Sequence, residues 1–127
     1  MPGPARAGAV LFAMDAPRLA SFYEHVLAMK RLHDTQGLIV IESPDFQLVL
    51  HAIPPEILAG ITIETPPALR EDVAMKLFFT VDSLADAAAR AAELSGGVFG
   101  EEWQGPGFRV RDAFDPEGNV FQVRELT

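Results

Sequence analysis

Apolar residues along the chain switch between two periods, and the switches mark out its elements. Ala9-Val-Leu-Phe-Ala13 is a short apolar run that predicts a strand. Asp15 follows as an N-cap with Pro17 in the first turn, and Leu19, Phe22, Tyr23, Val26 and Leu27 then recur at i, i+3, i+4, i+7 and i+8. That spacing is one face of a helix, which strand alternation cannot produce. Arg18, Glu24, His25 and Lys30 fall off the face, so His25 reads as a solvated helix residue. Arg31–Asp34 is a candidate strand, and Leu38–Glu42 and Phe46–His51 are stronger ones, rich in β-branched residues and separated by turn signals at Gln36-Gly37 and Ser43-Pro-Asp45. From Ile53 to Asp72, four prolines argue against continuous helix or central strand and predict a connector with an extended piece at Gly60–Glu64.

The second half repeats the plan. Met75–Val81 predicts a strand with Leu77, Phe79 and Val81 on one face and Lys76, Phe78 and Thr80 on the other. Asp82 or Ser83 caps a helix with Asp86 in its first turn; Leu84, Ala87, Ala88, Ala91 and Leu94 form its buried stripe, and Gly96-Gly97 end it. Val98-Phe99, a Gly-rich link holding Trp103, and a closing hairpin over Arg109–Glu125 complete the set. The hairpin turns at Asp115-Pro-Glu-Gly-Asn119, after which Phe121 and Val123 point one way and Val120, Gln122 and Arg124 the other. β-α-β-β-β thus occurs twice. Each half has one helix to cover one face of its sheet, which leaves the opposite faces to each other or to a ligand.

At 127 residues and 22% charged, the chain reads as a single ordered domain with a core of its own. A net charge of −8 argues against a nucleic-acid partner and is compatible with a cationic ligand. No apolar run approaches a membrane span, the N-terminus lacks the order of a signal peptide, and the absence of cysteine excludes thiolate chemistry. A cytoplasmic protein is the expectation. There is no Gly-x-Ser-x-Gly, P-loop or dinucleotide fingerprint.

Three stretches carry a resemblance: Asp15 through Ser21-Phe22-Tyr23 with Val26-Leu27-Ala-Met29, Phe79-Thr-Val-Asp82 before its helix, and Asp115-Pro-Glu-Gly-Asn-Val-Phe-Gln122. With these the chain resembles, over nearly its whole length, the vicinal oxygen chelate superfamily of glyoxalase I, bleomycin-resistance proteins and extradiol dioxygenases. The resemblance implies an α+β fold of two βαβββ modules whose curved mixed sheets enclose a cavity, commonly in a homodimer. Module one would span about 8–53, the connector about 54–73 and module two about 74–127. It also implies metal ligands on the first and last strands of each module. By register these positions fall on Gly8, seven before Asp15, on Lys76, six before Asp82, on Gln122, four after Gly118, and on Val49, with His51 two residues on. Gly and Val have no donor, Lys is a cation, and Gln122 alone offers a neutral oxygen, which is too little for a catalytic metal site.

The leading expectation is therefore a binding protein of the bleomycin-resistance type with no catalytic residue, metal or cofactor. Its ligand, an aromatic or cationic small molecule, would meet Phe12, Val49, His51, Lys76, Phe78, Trp103, Arg111 and Gln122. Lys76 would snorkel to the barrel mouth, bridge to Glu125 or Glu42, contact ligand, or serve as a Schiff-base amine or general base; His51 is a sheet-edge histidine, a ligand contact or a metal ligand. Trp103 stacks on ligand from a loop or caps the core, and Arg109, Arg111 and Arg124 form a basic cluster or pair with Glu101, Glu102 or Asp112. The alternative is a divalent-metal lyase, isomerase or dioxygenase whose site has moved to His33, His51, Glu42 or Glu125. A third reading is a non-catalytic interaction module whose cavity is filled by side chains.

Overall fold

The computed structural model describes residues 5–62 and 67–127. The chain divides into two compact units, Met1–Thr62 and Ile63–Thr127. In the first, β1 (Gly8–Ala13) leads through α1 (Ala16–Leu27) to β2 (Lys30–Thr35), β3 (Leu38–Ser43) and β4 (Phe46–Ala52), and a one-turn helix α2 (Pro55–Leu58) follows. In the second, β5 (Phe78–Thr80) leads through α3 (Leu84–Glu93) to β6 (Gly97–Val98), β7 (Trp103–Gly105), β8 (Phe108–Phe114) and β9 (Val120–Leu126). The sheets are ordered β1-β4-β3-β2 and β5-β9-β8-β6, with β7 on the same edge of β8 as β6. Each sets its first strand parallel to its last and the remaining pairs antiparallel. These are open mixed sheets of an α+β protein with the βαβββ plan twice over. Among the described residues no helix is long and apolar enough to cross a membrane.

Each helix covers one face of its own sheet. The Asp15 carboxylate accepts the Arg18 N–H at 3.1 Å and starts α1, whose Leu19, Phe22, Tyr23 and Val26 are buried, as are Ile39, Ile41, Leu48 and Leu50 of β3 and β4. In the second unit Ser83 Oγ accepts the Asp86 N–H at 3.1 Å, and the small residues Ala87 and Ala91 are buried in α3. Phe79 meets Phe121 edge-to-face at 6.0 Å on the covered side, where Val123 is also fully buried. The alternation expected after the hairpin turn thus holds, with Phe121 and Val123 in the core.

Several boundaries differ from those the pattern predicts. The strand expected over Met75–Val81 is only Phe78–Thr80; the ladder reaches one residue further each way, through Gln122 N–H to Leu77 O at 2.9 Å and Val81 N–H to Arg124 O at 2.7 Å. Met75 is exposed and Lys76 precedes the strand, since apolar alternation runs on where no neighbouring backbone does. Within the connector, Pro54-Pro55 start the α2 turn, Gly60 lies in a turn, and no strand forms over 60–62; residues 63–66 of the expected extended piece lie outside the described residues. Trp103 is not in a loop. It sits in β7, because Gln104-Gly-Pro-Gly107 turns back tightly enough for Trp103–Gly105 to pair with β8.

The end of α3 is set one residue earlier than Gly96-Gly97 suggests. The Gly96 N–H returns to the Ala91 carbonyl at 2.9 Å, and the left-handed residue that makes this possible is Ser95, at φ 68°. A side chain in that region costs roughly 1 kcal/mol that glycine does not. Ser95 is exposed, so Ser95→Gly removes no packing. It is expected to raise the thermal midpoint by about 3 °C, read by calorimetry; no rise would mean that the αL strain is absent.

Candidate functional site

Both sheets leave one face uncovered by their helix, and register fixes which side chains lie there. In the first unit three rungs cross β2, β3, β4 and β1: Lys30–Glu42–Gln47–Gly8, His33–Val40–Val49–Val10, and Thr35–Leu38–His51–Phe12. Val10 and Phe12 are 58% and 59% exposed, too much apolar surface for an ordinary half-buried sheet face. Phe12 tilts against His51 with ring centroids 5.5 Å apart, and His51 Nδ1–H donates to the Ala52 carbonyl at 2.9 Å. Phe12, Val49 and His51 are thereby brought together.

In the second unit the corresponding rungs are Phe78–Gln122–Asp112 and Thr80–Arg124–Val110–Trp103. Phe78 and Trp103 are 54% and 44% exposed. Lys76 reaches across to Asp112, with Nζ 3.3 Å from both carboxylate oxygens. This corrects the expected partners Glu125 and Glu42; Asp112 is nearer because the hairpin register places it beside Gln122. Arg124 lies with its guanidinium carbon 3.7 Å from the Phe78 ring centroid and 4.2 Å from that of Phe108. Phe108 itself lies over Gly105, where any Cβ would overlap its ring. Phe78, Lys76, Trp103 and Gln122 are thus brought together, and Asp112, Phe108, Thr80 and Val110 join them. Thr80 was placed on this face by strand alternation and Asp112 was expected only as a partner of the arginines; Phe108 and Val110 were not singled out, because only the register of β8 against β9 reveals them.

Arg111 is the exception. It is paired in register with the buried Val123, on the helix-covered face, and so points away from Gln122. Its Nε donates to Glu102 at 3.0 Å, and Arg109 bonds Glu125 and lies 3.7 Å from Glu102. Arg109 and Arg111 therefore pair with Glu102, one of the expected acids, Arg109 also takes Glu125, which was not expected, and Arg124 stands apart on the other side of the sheet. Glu125 also accepts the Leu84 N–H at 2.7 Å at the start of α3; that hydrogen bond first, and Arg109 second, hold its carboxyl below the usual range. Its contribution to stability is complete above the ordinary glutamate pKa and fades as pH falls through the lowered one. Arg109 is pushed further up by Glu125, as is Arg31 by Glu24 and then Asp34.

The chemistry of these faces bears on metal binding. Gly8 and Val49 in the first unit and Lys76 and Gln122 in the second supply no imidazole and no carboxylate between them, and the Lys76 ammonium is held by Asp112. A side chain at Gly8 would overlap the Gln47 carbonyl oxygen, so no ligand fits there on this backbone. The other donors are occupied or apart. Glu42 Oε1 takes the Ala5 N–H at 2.9 Å and Gln47 Nε2 at 3.0 Å, and Glu125 is on the helix-covered face. Among the described residues, no three His, Cys, Asp or Glu side chains gather closely enough to hold a metal ion. The described residues at these positions do not fit a divalent metal.

Comparison with known proteins agrees with this fold. A glyoxalase-like domain family model matches residues 8–124. Among solved structures, an integron cassette protein from the V. cholerae mobile metagenome is 25% identical, with 98% of this chain and 96% of that one covered at a TM-score of 0.64. A glyoxalase/bleomycin resistance protein from Albidiferax ferrireducens is 15% identical over 95% and 98% of the two chains, with a TM-score of 0.67. A fosfomycin resistance protein from Mesorhizobium loti is 13% identical over 100% and 94%, with a TM-score of 0.65. At such identities the likeness is one of fold. No curated protein matches the sequence. With its paired βαβββ units and a family match that runs from β1 into β9, the chain belongs to the glyoxalase-like domain family, within the vicinal oxygen chelate superfamily.

Proposed function

We propose that this chain is a metal-independent small-molecule-binding protein, related in role to the bleomycin-resistance proteins, that acts by sequestering its ligand in the cytoplasm as a homodimer. The observation that carries this reading is a substitution of chemistry: where the superfamily's metal enzymes hold ligands, the chain has Gly8, Val49, Lys76 and Gln122, while the same sheet faces present Phe12, Phe78 and Trp103. Exposed aromatic surface with a few fixed polar groups supports affinity for a flat organic molecule, and the side chains at the four positions are poor donors for the Lewis acid that turnover of a vicinal-oxygen substrate would need. That a structurally similar protein is a fosfomycin resistance protein is compatible with a role in tolerance of a toxic compound.

Elemental analysis and native mass spectrometry of protein purified without chelators test this. The expected result is a dimer mass, a co-purified organic ligand and no stoichiometric metal. Added zinc, manganese, nickel or iron should leave the thermal midpoint unchanged, whereas a site filled at a hundredfold over its Kd would raise it by about 10 °C. One tightly held divalent ion per chain would overturn the proposal.

A further inference from the structure

Arg124 occupies the middle of the open face of the second sheet, on the rung that runs from Thr80 to Trp103. Each other cation of that sheet has a carboxylate: Lys76 has Asp112, Arg109 has Glu125 and Glu102, and Arg111 has Glu102. Arg124 has none among the described residues, although acids outnumber bases in the chain by 18 to 10. Its Nε is buried and without a hydrogen-bond partner. An N–H that water cannot reach is out of a ligand's reach as well, so a partner from outside can meet this cation only through its two Nη groups, which are not buried.

What partner fits follows from how the group is held. Phe78 on one flanking strand and Phe108 on the other take the guanidinium against their rings. With two rings against the guanidinium and Nε buried, the edge formed by the two Nη groups is the direction of approach. A carboxylate meets an arginine edge with two parallel hydrogen bonds; an ammonium or another guanidinium is repelled by it. Asp112 does not cancel this, because its charge is taken up by Lys76. Half-exposed Trp103 and Phe78 lie to either side, giving flat apolar surface for a ring attached to the carboxylate, and Gln122 lies on the neighbouring rung of the same face.

We infer that the open face of the second sheet binds an aromatic carboxylate, with Arg124 receiving the anion and Trp103 and Phe78 the ring. This rests on the small-molecule-binding reading above and narrows it: the ligand is an anion, despite the chain's acidic balance.

Isothermal titration of the full-length protein with three isosteric probes decides the matter: 2-naphthoate, its neutral amide, and the corresponding naphthylmethylammonium. The expected result is that naphthoate binds about tenfold or more tighter than the amide and that the ammonium binds weakest. Arg124→Gln should abolish the preference for the acid, and Arg124→Lys, which keeps the charge without the fork, should restore only part of it. The comparison of probes on the unmutated protein stands even if a variant folds poorly. Equal affinity for acid and amide, or a preference for the ammonium, overturns the anionic assignment and leaves small-molecule binding intact. Failure of all three to bind overturns both.

Discussion

Asp115→Ala is expected to destabilise the protein by about 3 kcal/mol, a large fraction of the stability of an ordinary domain. Asp115 is fully buried at the corner between β8 and β9. Its Oδ1 accepts the Glu117 N–H at 2.9 Å and the Asn119 N–H at 3.1 Å, while Oδ2 accepts the Asn119 side-chain amide at 2.9 Å. Its backbone closes the same loop, with Asp115 N–H to Asn119 O at 3.1 Å and Gly118 N–H to Asp115 O at 2.9 Å. Alanine leaves three donors in a buried corner facing no acceptor, and each carries a desolvation cost of roughly 1–3 kcal/mol less whatever relaxation recovers. Asp115→Asn keeps one oxygen and sets its NH₂ against donors, so it should fall between wild type and alanine. Urea melts at unchanged m-value measure the loss. A cost below about 1 kcal/mol would show that the turn is held by its backbone alone.

The consequence reaches the candidate site through register. Gln122 and Arg124 face away from α3 only because the turn fixes β9 against β8 at one setting; a slip of one residue would exchange them with Phe121 and Val123. The turn is itself seated under the connector: Gly118 O accepts the Arg70 N–H at 2.8 Å, and Gly118, at φ 83°, lies so close to Ala68 that a Cβ would overlap its carbonyl oxygen. A glycine is required there twice over, by backbone conformation and by contact.

That division between turn and register also marks what could be read from the sequence. The α1 stripe of Leu19, Phe22, Tyr23 and Val26 was legible because a 3.6-residue period has no competing reading, and it is buried as expected. The doubled plan was legible because each helix lies between strands of the same number and kind. Arg109, Arg111 and Arg124 were not separable. Each follows an apolar residue, and only the pairing of Asp112 with Gln122 shows that two of them share a face with Val123 and one does not. The same pairing, invisible before the strands are aligned, gives Lys76 its partner. Trp103 was misplaced for a different reason: a three-residue strand between glycines carries too short a pattern to register as one. Ser95 was missed because the neighbouring Gly96-Gly97 is the stronger helix-stop signal, although the strained φ falls on the serine.

Gly8→His, which installs the superfamily's usual ligand, is expected to destabilise the first unit by about 2 kcal/mol and to confer no metal binding. Gly8 stands beside Gln47 across the parallel β1–β4 pair, and Gln47 N–H donates to Ala7 O at 2.9 Å. The overlap is with backbone, the Gln47 carbonyl oxygen, so no change of side-chain rotamer relieves it. Strand β1 must lift at its start, stretching that hydrogen bond and uncovering the edge of β4. Because the offending atom is Cβ, Gly8→Ala should carry most of the same cost, and the imidazole should add little to it. Paired thermal melts of the two variants, with and without zinc, separate the possibilities. Near-equal losses insensitive to zinc would mean that the strand has closed into the space a ligand once needed, so that metal independence is built into the backbone spacing and not only into the choice of side chains. A histidine variant as stable as wild type and further stabilised by zinc would mean that the site is merely missing a side chain, and the case against metal chemistry would then rest on Val49, Lys76 and Gln122 alone.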